Sequence, residues 1–178
     1  MFYEKIPDNF SDYSILFLFQ FVDMTDTKDR SCKMYTKYDG MISSMSEKER
    51  LLVEEFIRRC TYVVIGTNHE EYGVRLSSLA NLPGQSLDAF YFVSHLRSQK
   101  VVNIMGDPVC EIIMFKEDGS ELIIRGSGEI VTDIACKKLK WESGMVSWYP
   151  GGPEDENFCL VRLTPESIRC RICSSGEN

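Results

Sequence analysis

The spacing of hydrophobic positions changes from a helical to a strand-like period after residue 60. Ser46 and Glu49 stand at the spacing of a capping box, and apolar residues recur at helical intervals from Leu52 to Cys60. This pattern predicts an amphipathic helix that begins at Ser46. The β-branched and aromatic runs that follow predict strands at residues 60–67, 74–82, 89–94, 109–115, 121–131, 158–163 and 167–173.

Turn residues indicate how these strands are connected. Asp118-Gly119 follows the strand at 109–115, and an Asp-Gly pair is typical of a hairpin turn. Gly126 and Gly128 lie inside the next strand, where they predict a bulge or a sharp bend. Thr164-Pro165-Glu166 predicts a turn between the last two strands.

The remaining helical segments are short. They are predicted at residues 98–105 and 133–142, with Asp133 near the cap of the second. Strands in hairpin order with few short helices favour a small antiparallel barrel. The chain has no regular βαβα alternation and no G-x-G-x-x-G motif, so we do not expect a Rossmann fold.

The first 45 residues do not share this pattern. An aromatic-rich patch at residues 13–21 is followed by a polar stretch and by scattered methionines. We therefore predict an N-terminal extension of unknown role at residues 1–45 and a barrel domain at residues 46–178. The extension could add an edge strand, cover a partner subunit or be poorly ordered.

Composition and charge narrow the class of protein. A chain of 178 residues suits one well-packed domain, and a net charge of −7 argues against non-specific binding of nucleic acid. A small basic pocket for a phosphorylated ligand is compatible with that charge. No segment approaches the roughly 20 apolar residues that cross a bilayer, and no signal peptide is recognisable. We therefore expect a cytoplasmic protein that binds neither nucleic acid nor membrane.

The seven cysteines do not indicate a disulfide framework, because their number is odd and they are scattered along the chain. Cys170-x-x-Cys173 is the one tight spacing, and it lies on a predicted strand where the two side chains point to opposite faces. No second such pair or nearby histidine completes a zinc site. We expect reduced thiols and no metal, and a redox role for Cys170 and Cys173 is left open.

The junction from residue 94 to residue 100 carries the clearest candidate chemistry. A predicted strand ends there as a predicted helix begins, and the first N–H groups of a helix attract anions. Ser94 and Ser98 can donate hydroxyl hydrogen bonds, while Arg97 and Lys100 can neutralise a dianion. We interpret this junction as a phosphate site and hypothesise that the phosphate belongs to a flavin.

The order of motifs from residue 46 to residue 173 resembles the pyridoxamine 5′-phosphate oxidase-like family of split barrels that bind flavin mononucleotide (FMN). The resemblance is closest to the bacterial general-stress-protein branch of that family. After the amphipathic helix, the motifs that carry it are Arg75, Tyr91-Phe92-Val93-Ser94, Ser98-Gln99-Lys100, Asp107-Pro108, residues 124–133, residues 148–155 and residues 160–167.

The resemblance implies a mainly β fold with short helices, an antiparallel split β-barrel of the FMN-binding type over residues 46–178. It also implies a homodimer with FMN between the subunits, in preference to FAD, deazaflavin or haem, and a flavin-dependent oxidoreductase with a small-molecule redox substrate. Family flavin contacts correspond to Arg75, Leu76, Ser77, Ser94, Ser98 and Lys100. To these we add Trp148, in a loop that could approach the flavin across the subunit interface. No catalytic residue is identified.

Departures from the family pattern limit the expected activity. Oxidases of pyridoxamine phosphate hold the substrate phosphate with C-terminal Arg and His residues, whereas this chain has only the histidines His69 and His95. True pyridoxamine phosphate oxidase activity is therefore not expected. Residues 68–73 also replace the small Asp-Gly turn of many relatives. The alternatives are a binding or sensing module that holds a flavin, deazaflavin or haem without turnover, and an interaction protein with a vestigial cleft.

Overall fold

The computed structural model describes residues 34–174, with side chains described from residue 37 to residue 172. The strands of this part are β1 (Met34–Met41), β2 (Tyr62–His69), β3 (Gly73–Ala80), β4 (Phe90–His95), β5 (Val109–Phe115), β6 (Glu121–Val131) and β7 (Phe158–Ser174). Its helices are α1 (Glu47–Arg58), α2 (Gln99–Gly106) and α3 (Ile134–Leu139), with short 3-10 helices at Ile42–Ser44, Ser143–Ser147 and Gly152–Glu154. The mainly β character predicted from the sequence is confirmed.

The seven strands form one antiparallel sheet that curls into an open barrel. Along the sheet the order is β1-β7-β6-β5-β2-β3, and β4 pairs with the first half of β7. Strand β1 pairs with the second half of β7 on the same side as β4. No hydrogen-bonded ladder among the described residues joins β3 to β4, so the barrel is split between these two strands.

Helix α1 closes one side of the barrel and begins where the sequence predicts. The Ser46 hydroxyl accepts the backbone N–H of Glu49, and the Glu49 carboxylate accepts the backbone N–H of Ser46. This reciprocal capping satisfies two N–H groups that the helix itself leaves unpaired. The apolar face of α1 then places Val53, Phe56 and Ile57 in the barrel core.

The last two predicted strands are in fact one, because β7 runs for 17 residues through Pro165 without a turn. The reason lies on β6, where the register shifts between Arg125 and Gly126 and Pro165 stands opposite Gly126. A Cβ atom on Gly126 would lie 2.1 Å from the Thr164 carbonyl oxygen. The glycine thus lets the two backbones approach, and the predicted bulge is confirmed at this point.

The helix predicted at residues 133–142 is shorter than expected. Asp133 caps it as predicted, since its carboxylate accepts the backbone N–H of Cys136 at 2.8 Å. Helix α3 nevertheless ends at Leu139, and a 3-10 helix follows at Ser143–Ser147. The Ser-Gly pair after Glu142 is a weak helix former and does not extend α3.

Strand β1 falls inside the region that the sequence separates as an extension. It pairs with β7 from Met34↔Ser174 to Met41↔Ser167, and so adds an edge strand to the barrel sheet. The compact unit that contains the barrel accordingly begins at Met34. The aromatic patch at residues 13–21 lies outside the described residues.

The described part of the chain shows no disulfide among its described cysteine side chains, no cluster of metal ligands and no membrane-spanning helix. The five cysteines with described side chains form no disulfide, and they are Cys60, Cys110, Cys136, Cys159 and Cys170. Cys173 lies on β7, but its side chain is outside the described set. In the same part of the chain, no His, Cys, Asp and Glu residues cluster as metal ligands, and no helix is long and apolar enough to span a bilayer.

Candidate functional site

Two serine hydroxyls meet where β4 passes into α2. Ser94 points into the barrel by strand alternation and is buried, while Ser98 is the residue that precedes α2. Their hydroxyl oxygens are 3.0 Å apart. The Ser98 hydroxyl makes no capping bond to the helix, so this pair is not engaged by the first-turn amides.

The first turn of α2 leaves backbone donors available beside these hydroxyls. The N–H of Ser98 donates to the His95 carbonyl at 2.8 Å, and the N–H groups of Val101 and Val102 donate to the Ser98 carbonyl. Within residues 34–174 the N–H groups of Gln99 and Lys100 have no acceptor. They lie at the positive end of the helix dipole, which favours an anion.

Lys100 places a cation at the same junction. Its side chain is half-buried, and among the described residues its ammonium has neither a hydrogen bond nor an ion pair. Burial raises the pKa of the Cys159 thiol to about 11, against an opposing effect of the Lys137 and Lys100 charges. The Cys159 thiol in turn donates to the Ser94 carbonyl at 3.3 Å, so this thiol joins β7 to the end of β4.

These groups form the donor set that we call the notch, which consists of Ser94, Ser98, Lys100 and the free N–H groups of Gln99 and Lys100. Lys100 has no anionic partner in the described part of the chain, and an anion bound at the first turn of α2 would supply one. Two hydroxyls, two amides and one ammonium match the oxygen atoms and the charge of a phosphate dianion. The notch therefore contains the kinds of donor that a phosphate group requires.

A buried polar relay, which sequence reasoning missed, connects α2 to the β2–β3 hairpin. The Gln99 amide donates to the Asn103 carbonyl oxygen at 2.9 Å, and the Asn103 amide donates to the Thr67 hydroxyl at 2.9 Å. That hydroxyl reaches the backbone carbonyl of Arg75 at 3.5 Å. A polar Asn on the apolar face of α2 and a Thr within the apolar strand β2 were the signals that could have revealed the relay.

The relay brings one face of β3 toward the notch. Arg75 pairs with Thr67 and Ser77 pairs with Ile65, so Arg75 and Ser77 share the face of the buried β2 residues and of the relay. Leu76 points to the opposite face and is 72 % exposed. The register therefore places Arg75 and Ser77 on the face of β3 that Thr67 shares, and the Leu76 side chain on the other face.

Outside the notch, this end of the barrel also carries Trp148, Tyr149 and His95. Trp148 is 72 % exposed, and in the described part of the chain its indole makes no ring contact or hydrogen bond. Its loop does border the site, because Tyr149 packs on Phe158, the register partner of His95. The His95 ring accepts the backbone N–H of Arg97 at 3.2 Å, so it shapes the turn before α2. Trp148 stays a prediction.

The outer face of the sheet carries an apolar groove of about 310 Å³. Its apolar lining from β2, β3, β5 and β6 includes Val64, Val74, Leu76, Ile113 and Ile123. The polar residues Asn68, Glu111 and Arg125 also line it. Val74 and Leu76 are 66 % and 72 % exposed, which is unusual for adjacent large apolar residues of one sheet face. This face, which we call the outer face, lies on the other side of β3 from Arg75.

The turn between β2 and β3 is held by an ordered set of contacts. The Asn68 amide donates to the Asp107 carboxylate at 2.7 Å. That hydrogen bond, together with the one from the Val109 backbone N–H, lowers the pKa of Asp107 below its usual range. The turn is thereby connected to the segment that follows α2.

Comparisons with known proteins agree with this architecture. Residues 48–170 match the sequence model of a family described as pyridoxamine 5′-phosphate oxidase like. None of the curated proteins with which the chain was compared matches it.

Solved structures show the same fold at low sequence identity. A Clostridium acetobutylicum protein related to general stress protein 26 is 21 % identical, with 73 % of this chain and 96 % of that chain covered and a TM-score of 0.63. The general stress FMN/FAD binding protein of Xanthomonas citri is 18 % identical, with 75 % and 94 % covered and a TM-score of 0.64. An F420 reductase is 18 % identical, with 65 % and 94 % covered and a TM-score of 0.50. These similarities confirm the split β-barrel predicted from the sequence.

Proposed function

The chain belongs to the pyridoxamine 5′-phosphate oxidase-like family, and we propose that it binds FMN at the notch and acts as a flavin-dependent oxidoreductase. One observation carries this proposal. Lys100 has no anionic partner among residues 34–174, and it belongs to the first turn of α2, which follows the Ser94–Ser98 hydroxyl pair and has two unpaired backbone N–H groups. A bound phosphate would supply the missing charge and accept these donors.

The chain's residues would bind and orient the cofactor. Ser94, Ser98 and Lys100 would hold the phosphate, and Arg75 would add a second cation from β3. When bound, the flavin supplies the redox chemistry. The notch contains no histidine or carboxylate that would act as a strong acid or base, and His95 is engaged by the turn before α2. The proposal specifies neither the substrate nor the electron donor.

A homodimer is part of the proposal. Leu76 and Val74 present an apolar surface on the outer face, and such a surface is normally covered in solution. A second copy of the chain would bury this apolar surface. One face of β3 would then contact the partner subunit, and the other face, which carries Arg75, would contact the cofactor. The unpaired cysteines of the described part suit a reducing compartment, which supports the cytoplasm as the proposed location.

The second candidate is a binding or sensing module without turnover, holding a flavin, a deazaflavin or haem. The fold similarity to an F420 reductase makes deazaflavin a ligand to include. The two candidates differ in the fate of the electrons. Anaerobic addition of NADH or NADPH should bleach the flavin absorbance of an oxidoreductase, whereas a pure binding module would retain the oxidised spectrum.

Fluorescence titration of the apoprotein with FMN tests the site directly. We expect Lys100→Glu to weaken FMN binding by about a hundredfold or more, because it removes a charge-assisted contact and adds repulsion of the phosphate. Lys48→Glu is the matched control, since it makes the same charge change on α1. Its FMN affinity should equal that of the wild type.

Two results would remove the proposal. One is a wild-type protein that neither carries flavin after purification nor binds added FMN. The other is a Lys100→Glu variant that binds FMN as tightly as Lys48→Glu. Haem or deazaflavin released from the purified protein on denaturation would instead select the second candidate.

A further inference from the structure

The β2–β3 turn is shaped by the side chain of His69. Register pairing of His69 with Gly73 leaves a loop of residues 70–72, and Gly73 adopts a φ of +68° that favours glycine. The Nδ1 atom of His69 accepts the backbone N–H groups of Glu71 at 3.1 Å and Tyr72 at 3.3 Å. These two bonds fix the path of the loop and therefore the position of Tyr72.

Tyr72 stands between two partners. Its ring centroid lies 4.8 Å from that of His69, and the guanidinium carbon of Arg75 lies 5.4 Å from the same Tyr72 centroid. Both distances are within the ranges of ring–ring and cation–π contacts. In the described part of the chain no carboxylate pairs with Arg75, so the tyrosine ring is the side-chain contact that restrains the guanidinium.

Arg75 needs such a restraint because it is exposed. A free arginine side chain loses substantial rotamer entropy when a ligand orders it. A ring that already holds the guanidinium reduces that loss, so a restrained Arg75 would bind an anion more tightly than a free one. Arg75 lies on the face of β3 that it shares with Thr67, whose hydroxyl accepts the Asn103 amide of α2.

We propose that Tyr72 is a positioning residue for Arg75, held in place by His69, and that it strengthens binding of the cofactor phosphate without contacting the cofactor. This inference rests on the proposed function, in which Arg75 faces the phosphate of FMN. It gives a role to the turn at residues 68–73, where the chain departs from the short turn of its relatives.

Binding of FMN and of riboflavin, which lacks the phosphate, separates this role from others. We expect Tyr72→Ala to weaken FMN binding by about two- to fivefold, the size of an exposed cation–π contact, and to leave riboflavin binding unchanged. Tyr72→Phe keeps the ring and should retain the FMN affinity of the wild type. In an Arg75→Ala background, Tyr72→Ala should cause no further loss.

The possible failures are distinguishable. If wild-type protein binds no flavin, the proposed function fails. If it binds FMN but Tyr72→Ala binds FMN equally well, only the positioning role is overturned. An equal loss of riboflavin affinity, or an added loss in the Arg75→Ala background, would mean that Tyr72 contacts the flavin or supports the fold, and either result overturns the inference.

Discussion

The centre of the sheet and its β3 edge are built on opposite principles. Strand β6 is paired along its whole length with β7, and Leu122 and Ile124 on its inner face are fully buried. Of the eight residues of β3, only Leu79 is buried. The centre thus contributes packing, whereas the edge strand leaves both of its faces available for other molecules.

The two faces of β3 differ from each other as well. One face carries Arg75 and Ser77 and is joined by the relay to the notch, and the other carries Val74 and Leu76 in the apolar groove. Alternation along one strand is enough to separate a polar from an apolar surface. We therefore expect changes at the centre to alter stability and changes at the edge to alter binding or assembly.

Gly126→Ala should have the largest effect, and it tests the centre. The added Cβ would lie 2.1 Å from the Thr164 carbonyl oxygen and 3.0 Å from the Cα atom of Pro165, and backbone atoms cannot move away cheaply. We expect a loss of at least about 3 kcal/mol in the free energy of unfolding, measured by urea denaturation.

Gly144→Ala provides the control for this substitution, because no atom lies within 4 Å of the Cβ position there. Its free energy of unfolding should stay within about 0.5 kcal/mol of the wild type. Equal stability of the two variants would show that β6 and β7 can separate at Gly126, and the centre would then not be the rigid part of the molecule.

Leu76→Asp tests the apolar face of the edge. If two copies bury this residue, each loses at least about 1.5 kcal/mol of hydrophobic contact, so the dissociation constant of the dimer should rise by about a hundredfold or more. Analytical ultracentrifugation measures the change. The matched control is Leu139→Asp on α3, where the leucine is 80 % exposed and lies outside the groove.

A wild-type chain that sediments as a monomer would contradict the dimer proposal, and so would a Leu76→Asp dimer as tight as that of Leu139→Asp. Because the changed side chain lies on the face of β3 opposite Arg75, circular dichroism and thermal unfolding of the isolated monomer should show a folded barrel. Loss of the fold would mean that the edge supports stability, contrary to the comparison.

The sequence predicts features that depend on local residue chemistry better than features that depend on a partner strand. Capping at Ser46, the bulge at Gly126 and the hairpin after Phe115 depend on local residue chemistry, and all three are present in the structure. The unbroken course of β7 through Pro165 depends on its partner strand, so local turn signals gave the wrong answer there.

At the site, local reasoning predicts the serines and Lys100 as ligands but does not reveal the relay. The contacts of Asn103 with Thr67 and of Tyr72 with Arg75 join residues whose roles depend on neighbouring elements. Neither Asn103 nor Tyr72 belongs to a sequence motif with its own chemistry. The family resemblance names both Leu76 and Arg75 as flavin contacts. The register places their side chains on opposite faces of β3, and the contact of Leu76 stays a prediction.

The smallest expected effect lies at the cap of α1. A change there should alter stability and leave binding and assembly unchanged, as expected for a site away from the β3 edge. The Ser46 hydroxyl and the Ser46 backbone N–H both donate to the Glu49 carboxylate, and they lower the pKa of that carboxyl below its ordinary value of 4.5. A group with a lowered native pKa stabilises the fold above its unfolded pKa, and this contribution is lost as the pH falls through the native pKa. Glu49→Ala should therefore unfold more easily than Glu47→Ala at neutral pH. In urea titrations at decreasing pH, the difference should shrink as the Glu49 carboxylate is protonated, below its ordinary pKa of 4.5. Both variants remove one charge from the same helical turn, so the difference isolates the capping interaction.

FMN affinity should be equal in the two variants. An effect of Glu49→Ala on FMN binding would show that the cap of α1 and the notch are coupled.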